Sequence, residues 1–547
     1  MKIALAQLNY HIGNFAQNTS RIIEFIDKSK AEGAELVVFS ELSVTGYYPH
    51  DLLERKEFVM QSYQAVQQIA EHCVGVAAIV GAPSINPEPK GKKLFNSAFF
   101  MYDGKIQHVV NKSLLPTYDI FDEYRHFEPN REFKVFEYNG KRIAITICED
   151  LWDEQETNNE FGREKLYQLS PLHELSLLNP DLVVNLSASP FSFNQENWRK
   201  NILVKNAINY QLPIIYVNQV GAQTELVFDG GSFFLDKTGK IQEELKYFTE
   251  DFRIIDTEVS VENLQPKTET IEKIYHALIL GIRDYFGKMG FKKATLGLSG
   301  GIDSALVLVL AVHALGKENV RVLLMPSRYS SDHSINDAEQ LAVNLGIQHE
   351  IIPIQPMVDS FEQSLADTFH NLHSDITEEN IQARTRGILL MAISNKFGNI
   401  LLNTTNKSEC AVGYGTLYGD MNGGLSVLGD VYKTDVFKMS NWINRDGEII
   451  PYNTILKPPS AELRPDQKDS DSLPDYDILD QILFNYIELN LSPEEIIARG
   501  FDEATVLKTV RMVNTNEYKR FQAPPILRIS SKAFGFGRRM PLVAKYS

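Results

Sequence analysis

The 547-residue chain is 43% hydrophobic and 23% charged, ordinary for a globular protein and long enough for about two to four domains. Its formal net charge of −17 argues against a nucleic-acid binder, which presents a basic face, but allows a local basic pocket for a small phosphate-bearing ligand. Three cysteines, Cys73, Cys148 and Cys410, are too few and too scattered for a disulfide framework, and none forms a CxxC zinc pattern. The opening MKIALAQLNYHIGN has no apolar core followed by a small-residue cleavage site. No apolar run approaches the roughly 20 residues of a membrane span. The expectation is a reduced, cytoplasmic protein.

In chain order, Lys2 to Leu8 alternates as a strand, and Thr19 to Ala31 carries Ile22, Ile23, Phe25 and Ile26 on a helical face. Further strands are expected at Leu36 to Phe39, Val76 to Val80, Ala98 to Tyr102, His108 to Val110, Arg142 to Ile147, Leu182 to Leu186 and Ile214 to Val217. Helices are expected at Glu54 to His72 and Gln195 to Ile208. Helices join some of these strands and hairpins join others, which predicts stacked sheets flanked by helices.

Three polar residues fall where such strands end: Glu41 after Val-Val-Phe-Ser, Lys112 after Val-Val-Asn, and Cys148 after Ile-Ala-Ile-Thr-Ile. Singly, each has a plain structural explanation: a helix N-terminal carboxylate, a surface cation, a buried small hydrophobe. Together they form a chemical set. A thiol needs a base, a nearby cation lowers its pKa, and the same cation can steady the oxyanion that follows attack on a carbonyl.

The blocks FSELSVTGYYPHDLL, NKSLLPTYDIFDEYRHFEP and ICEDLW resemble the Glu, Lys and Cys blocks of the nitrilase superfamily, in that order, over roughly residues 1–255. The resemblance implies an α-β-β-α sandwich and amide hydrolysis through a thioester, with Glu123 as a second carboxylate near the site. LLPTYDIFDE is more narrowly similar to the glutaminase domains that feed NAD synthetases. That likeness implies glutamine contacts from Tyr118 and from Ser189 in NLSASPF. Gln195 stands where the family usually carries a basic or polar residue.

Residues 257–270 (TEVSVENLQPKTET) are polar and lack apolar periodicity, and read as a linker between expected domains at 1–256 and 271–547. Ile271 to Phe286 gives a helical stripe. Ala294-Thr295-Leu296-Gly297-Leu298-Ser299-Gly300-Gly301-Ile302-Asp303-Ser304 then runs from an apolar strand through a Ser-Gly-Gly turn into an apolar helix. Such a turn offers backbone N–H groups to an anion, with the helix dipole behind them. Asp303 would repel a phosphate unless it holds Mg²⁺, a hard, oxygen-seeking cation. The competing explanation is a tight turn with an Asp N-cap. No G-x-x-x-x-G-K-[ST] occurs. The stretch instead resembles the SGGxDS loop of N-type ATP pyrophosphatases.

A strand at Arg321 to Met325, a helix at Ile335 to Leu345 and a strand at Glu350 to Ile354 complete a βαβ pattern, which predicts a doubly wound parallel sheet with the loop at a strand's carboxyl end. Asn380 and Arg384 share a helix face at i, i+4. In LLNTTNKSECAVGYGTLYGDMNGG, hydroxyls, an amide, Lys407 and Glu409 follow a strand, a set that suits a nucleotide and its metal. Residues 459–480 are polar and Pro-rich, either a disordered loop or a lid.

These blocks, with NEYKRFQAPPILRISSKAFGFGRR, resemble the glutamine-dependent NAD synthetase family over essentially the whole chain. The resemblance implies a nitrilase-like sandwich fused to a Rossmann-like ATP pyrophosphatase domain. It implies catalysis by Glu41, Lys112 and Cys148, and glutamine binding by Tyr118, Ser189 and Gln195. Gly297, Leu298, Ser299, Gly300, Gly301, Ile302, Asp303, Ser304 and Thr404 would bind ATP. Asn380, Glu409 and Lys519 would bind deamido-NAD, and Asp303 and Glu409 would hold Mg²⁺. The expected partners are these small molecules and further copies of the chain, with no nucleic acid and no membrane. Ammonia made at one site and used at the other is mostly ammonium at neutral pH, which favours an enclosed passage between them.

Overall fold

The computed structural model describes residues 1–153, 166–370 and 372–545. The chain divides into two compact units, Met1–Lys267 and Thr268–Ser547. Among the described residues no helix is long and apolar enough to cross a membrane.

The first unit is built on two six-stranded sheets. One runs Asp251–Asp256, Lys2–Gln7, Leu36–Val38, Ala77–Ile85, Leu94–Tyr102, Lys105–Asn111 from edge to edge. The other runs Ile241–Glu244, Phe233–Leu235, Ile214–Asn218, Leu182–Ser187, Lys141–Ile147, Val135–Tyr138. Their inner faces share one apolar core, in which Ile3, Leu5, Val38 and Ile79 of the first sheet meet Ile145, Val184, Leu186 and Val217 of the second. The strand Leu182–Ser187 is buried along its whole length and lies between two parallel neighbours, which is why it shows no apolar-polar alternation.

Helices cover the outer faces. Phe15–Ala31 is capped by the Asn14 side chain, which accepts from the Gln17 N–H. It turns Ile22, Phe25 and Ile26 onto the first sheet beside Ala4, Ala6 and Val37. Gln195–Tyr210 lays Leu203 and Ala207 on the second sheet. The result is four layers in the order helix, sheet, sheet, helix. The strand Asp251–Asp256 carries no clear alternation, and its antiparallel pairing with Lys2–Gln7 is not visible from local pattern.

The second unit is centred on a parallel sheet in the order Gln348–Ile351, Val320–Leu324, Ala294–Gly297, Ile400–Asn403, Leu425–Ser426. The strand expected at Glu350 to Ile354 begins earlier and stops at Ile351. Pro353 has no N–H to continue the ladder, although Ile352 and Ile354 still donate to Leu324 and Pro326. The order reverses direction between Ala294–Gly297 and Ile400–Asn403, the switch point at which open α/β sheets leave a crevice. Residues 298–304 follow the first of these strands, and residues 404–409 follow the second.

Gly81 lies under the turn that carries Glu41. A Cβ there would come within 2.4 Å of the Leu42 nitrogen and 2.5 Å of the Ser40 carbonyl oxygen. Gly81→Ala should therefore destabilise the first unit by about 1–3 kcal/mol, as overpacking does. Chemical denaturation checks this, and an unchanged midpoint would contradict the packing described.

Candidate active sites

In the first unit, strand ends from both sheets bring the predicted residues together. The Lys112 ammonium, fully buried, donates to Glu41 Oε1 at 2.7 Å and to Glu123 Oε1 at 2.8 Å. Glu41 also accepts from the Asn96 side chain at 2.7 Å and from the Ala188 backbone N–H at 3.0 Å. Tyr47 donates to Glu123 at 2.7 Å. Cys148 follows the strand Lys141–Ile147 and opens a short turn with φ of 42°. Asp150 fixes that turn by accepting from the backbone N–H groups of Ile147, Ser113 and Leu114 at 2.9–3.0 Å.

The electrostatics follow from burial. It pushes the Cys148 thiol well above its ordinary value, Glu41 adds to the effect, and Lys112 pulls against it. Burial also opposes the Lys112 charge, but Glu123 and Glu41 outweigh it and hold the ammonium well above its usual range. Glu123 is pushed up to about 7 by burial, with Lys112 opposing. The resting sulfur is thus a thiol beside a carboxylate that can take its proton. The local cation does not by itself make a thiolate.

Tyr118 exposes part of its ring and donates its hydroxyl to Glu149 at 2.8 Å, where Tyr167 donates as well. Ser189 is buried, and its backbone N–H is held by the Asn218 side chain at 2.9 Å. Gln195 opens the helix Gln195–Tyr210 and is half-buried. Tyr47, Asn96, Glu149 and Asp150 were not singled out from the sequence. Only the last two, adjacent to Cys148, carried any local signal.

In the second unit, a cavity of about 300 Å³ opens at the switch point. Gly297, Leu298, Ser299, Gly301, Ile302, Asp303, Ser304 and Thr404 line it. Gly300 has φ of 79°, and a Cβ would lie 2.2 Å from the Ser334 carbonyl oxygen, so only glycine fits the turn. The Ser299 and Ser304 hydroxyls lie 3.1 Å apart and bond within the loop.

Asp303 accepts from Asn406 at 2.9 Å and from the Lys433 ammonium, which also reaches Glu409 at 3.3 Å. Burial, reinforced by the Asp303 charge, pushes Glu409 up to about 8. Burial opposes the Lys433 charge, but Asp303 and Glu409 outweigh it and raise its pKa. Arg386 also lines the cavity and is pushed down to about 10 by burial. Its Nε donates to the Met325 carbonyl at 3.1 Å.

Asn380 and Lys519 do not line this cavity. They converge on the neighbouring loop, where Asn380 accepts from Thr416 at 2.6 Å and Lys519 donates to the Gly413 and Gly415 carbonyls at 2.7 and 2.8 Å. Arg384 donates to the Leu417 carbonyl of the same loop. Of residues 459–480, expected to be a disordered loop or a lid, 459–463 and Asp469 line the cavity. Lys407, expected to suit the nucleotide, instead points away into a buried ion cluster. The cation on Asp303 and Glu409 is Lys433, which follows no glycine-rich or strand-end pattern and so gave no sequence signal.

Comparison with known proteins matches residues 2–268 to the carbon-nitrogen hydrolase family and residues 274–523 to the NAD synthase family. A glutamine-dependent NAD(+) synthetase of Synechocystis is 47% identical, the match covering 100% of this chain and 99% of the relative. The chain belongs to the glutamine-dependent NAD(+) synthetase family. The synthetase of Thermotoga maritima is 42% identical over 100% of this chain and 99% of its own. The solved NAD+ synthetase of Acinetobacter baumannii, in complex with adenosine diphosphate, is 41% identical, with a TM-score of 0.78 over 100% of this chain and 99% of that one.

Lys112→Met leaves two carboxylates buried beside a thiol with no cation. It should destabilise the first unit by about 3–5 kcal/mol, the scale for breaking a buried pair. In whatever fraction folds, it should move Cys148 alkylation to still higher pH. Denaturation and alkylation rates mapped to Cys148 against pH check both. An unchanged profile would remove Lys112 from the thiol's surroundings.

Proposed function

We propose that this chain makes NAD from deamido-NAD, ATP and glutamine, releasing AMP, pyrophosphate and glutamate. The observation that carries the reading is that each unit holds the residues for one half of this chemistry. Family membership supplies the substrates.

In the first half, Cys148 Sγ attacks the side-chain amide carbon of glutamine while Glu41 takes the thiol proton. Two of the three Lys112 ammonium hydrogens are held by Glu41 and Glu123, which leaves one for the oxyanion. Ammonia leaves with the proton returned by Glu41. Water activated by the same carboxylate then releases glutamate. Tyr118, Ser189 and Gln195 are the proposed glutamine contacts.

In the second half, the loop 297–304 and Thr404 hold ATP. The nicotinate carboxylate of deamido-NAD attacks the α-phosphorus, pyrophosphate leaves, and ammonia displaces AMP from the acyl adenylate. Asn380, Glu409 and Lys519 are the proposed deamido-NAD contacts. Asp303 and Glu409 fit a Mg²⁺ ion: both offer hard oxygen donors at the cavity, and both already share one cation, the Lys433 ammonium. Bound there, Mg²⁺ would neutralise charge on the departing pyrophosphate.

The test is product identification with ATP, Mg²⁺ and deamido-NAD, using glutamine or ammonia as nitrogen source. NAD, AMP and pyrophosphate should appear in equal amounts. Asp303→Ala should lower NAD formation by about 10²-fold or more with both nitrogen sources, a loss on the scale of one electrostatic stabiliser. Wild-type rates from that variant at saturating Mg²⁺ would exclude the assignment.

A further inference from the structure

Lys407 is the one charged group of the NTTNKSE loop that the chemistry above leaves unused. It is fully buried. Its ammonium lies 2.8 Å from Asp430 Oδ1 and donates to Glu488 Oε1 at 2.7 Å, to Ser530 Oγ at 2.8 Å and to the Lys532 carbonyl at 3.0 Å. Asp430 in turn accepts from the backbone N–H groups of Ile529 and Ser530 and from the Ser530 hydroxyl, at 2.7–2.8 Å. The segment 525–532 is thereby drawn against the sheet edge, where Ser426 donates to the Pro525 carbonyl at 2.8 Å and Leu527 donates back at 3.2 Å.

The residues either side of Lys407 point to the cavity or support it. Asn406 donates to Asp303. The Ser408 hydroxyl donates to Asp480, whose other oxygen accepts the Thr434 N–H beside Lys433. Glu409 takes the Lys433 ammonium. Lys407 anchors this fan from below. A buried cluster of two carboxylates on one ammonium is a poor way to gain stability, because apolar packing of equal volume does as well or better. Such a cluster does fix direction: it holds the loop that carries Glu409 to three other segments of the unit, at Asp430, Glu488 and 530–532.

We infer that Lys407 is a positioning residue for the cation-binding pair Asp303 and Glu409, and that segment 525–532 belongs to the scaffold of the NAD-forming site. The inference rests on the proposed magnesium role of that pair. It also assigns work to a segment that contributes no lining residue to the cavity.

The test uses the full-length enzyme with Lys407→Met and, as a milder change, Ser530→Ala. Mn²⁺ binding in the presence of ATP, without deamido-NAD, is read by electron paramagnetic resonance. Mg²⁺ half-saturation and the KM for deamido-NAD are read from ammonia-dependent NAD formation. Lys407→Met should weaken Mn²⁺ binding by about 10-fold, the scale for groups that orient a metal's ligands. Half-saturating Mg²⁺ should rise in parallel, and the KM for deamido-NAD should rise with it, because Glu409 is also a proposed deamido-NAD contact. Ser530→Ala should shift both metal readouts in the same direction by a smaller factor. Wild-type metal readouts in a folded Lys407→Met with only a lowered melting temperature would overturn the inference. If Lys407→Met does not fold, unchanged metal readouts in Ser530→Ala would overturn it. A wild-type enzyme that makes no NAD from ammonia would instead overturn the proposed function.

Discussion

The constraint on which the first unit depends is a single buried ammonium placed between two buried carboxylates. Lys112, Glu41 and Glu123 carry a net negative charge in an apolar setting, and each would be costly to bury alone. They coexist because the strand ends fix their geometry and because Asn96 and Ala188 donate to Glu41 and Tyr47 donates to Glu123. The same arrangement recurs twice in the second unit, as Lys433 on Asp303 and Glu409, and as Lys407 on Asp430 and Glu488. In the first two clusters the proposed reaction gives the excess negative charge a use, as a base or as a cation site. In the third it faces only backbone and hydroxyl donors.

This arrangement changes how the nucleophile is understood. A cation beside a cysteine ordinarily points to a resting thiolate. Here burial and Glu41 outweigh Lys112 and hold the thiol well above its ordinary pKa. A protonated resting thiol is also less exposed to stray oxidation and alkylation. In the proposed reaction Lys112 is kept for the oxyanion, which forms only when the substrate carbonyl has been attacked.

Strand-end chemistry was the most legible part of the sequence. Glu41, Cys148 and the Ser-Gly-Gly turn each follow an apolar run and Lys112 follows Val-Val-Asn, and five strands of the first sheet and three of the second could be anticipated from such patterns. What local pattern does not carry is long-range pairing. Asp251–Asp256 finds Lys2–Gln7 across nearly the whole unit. Lys433 lies 130 residues from Asp303, its partner. Lys407 misled for the opposite reason. It stands in a loop rich in nucleotide-binding residue types, but its side chain leaves that loop on the other side. Composition marks a site, whereas side-chain direction is decided by packing.

The central claim is that nitrogen released from glutamine at Cys148 becomes the amide of NAD formed at the second unit's cavity. The most direct measurement is mass analysis of NAD made from amide-labelled ¹⁵N-glutamine and from ¹⁵N-ammonium, by the wild type and by Cys148→Ala. The account predicts label in the nicotinamide amide from both sources in the wild type, and from ammonium alone in the variant. Label from glutamine in Cys148→Ala, or a folded variant inactive with ammonium as well, would contradict it.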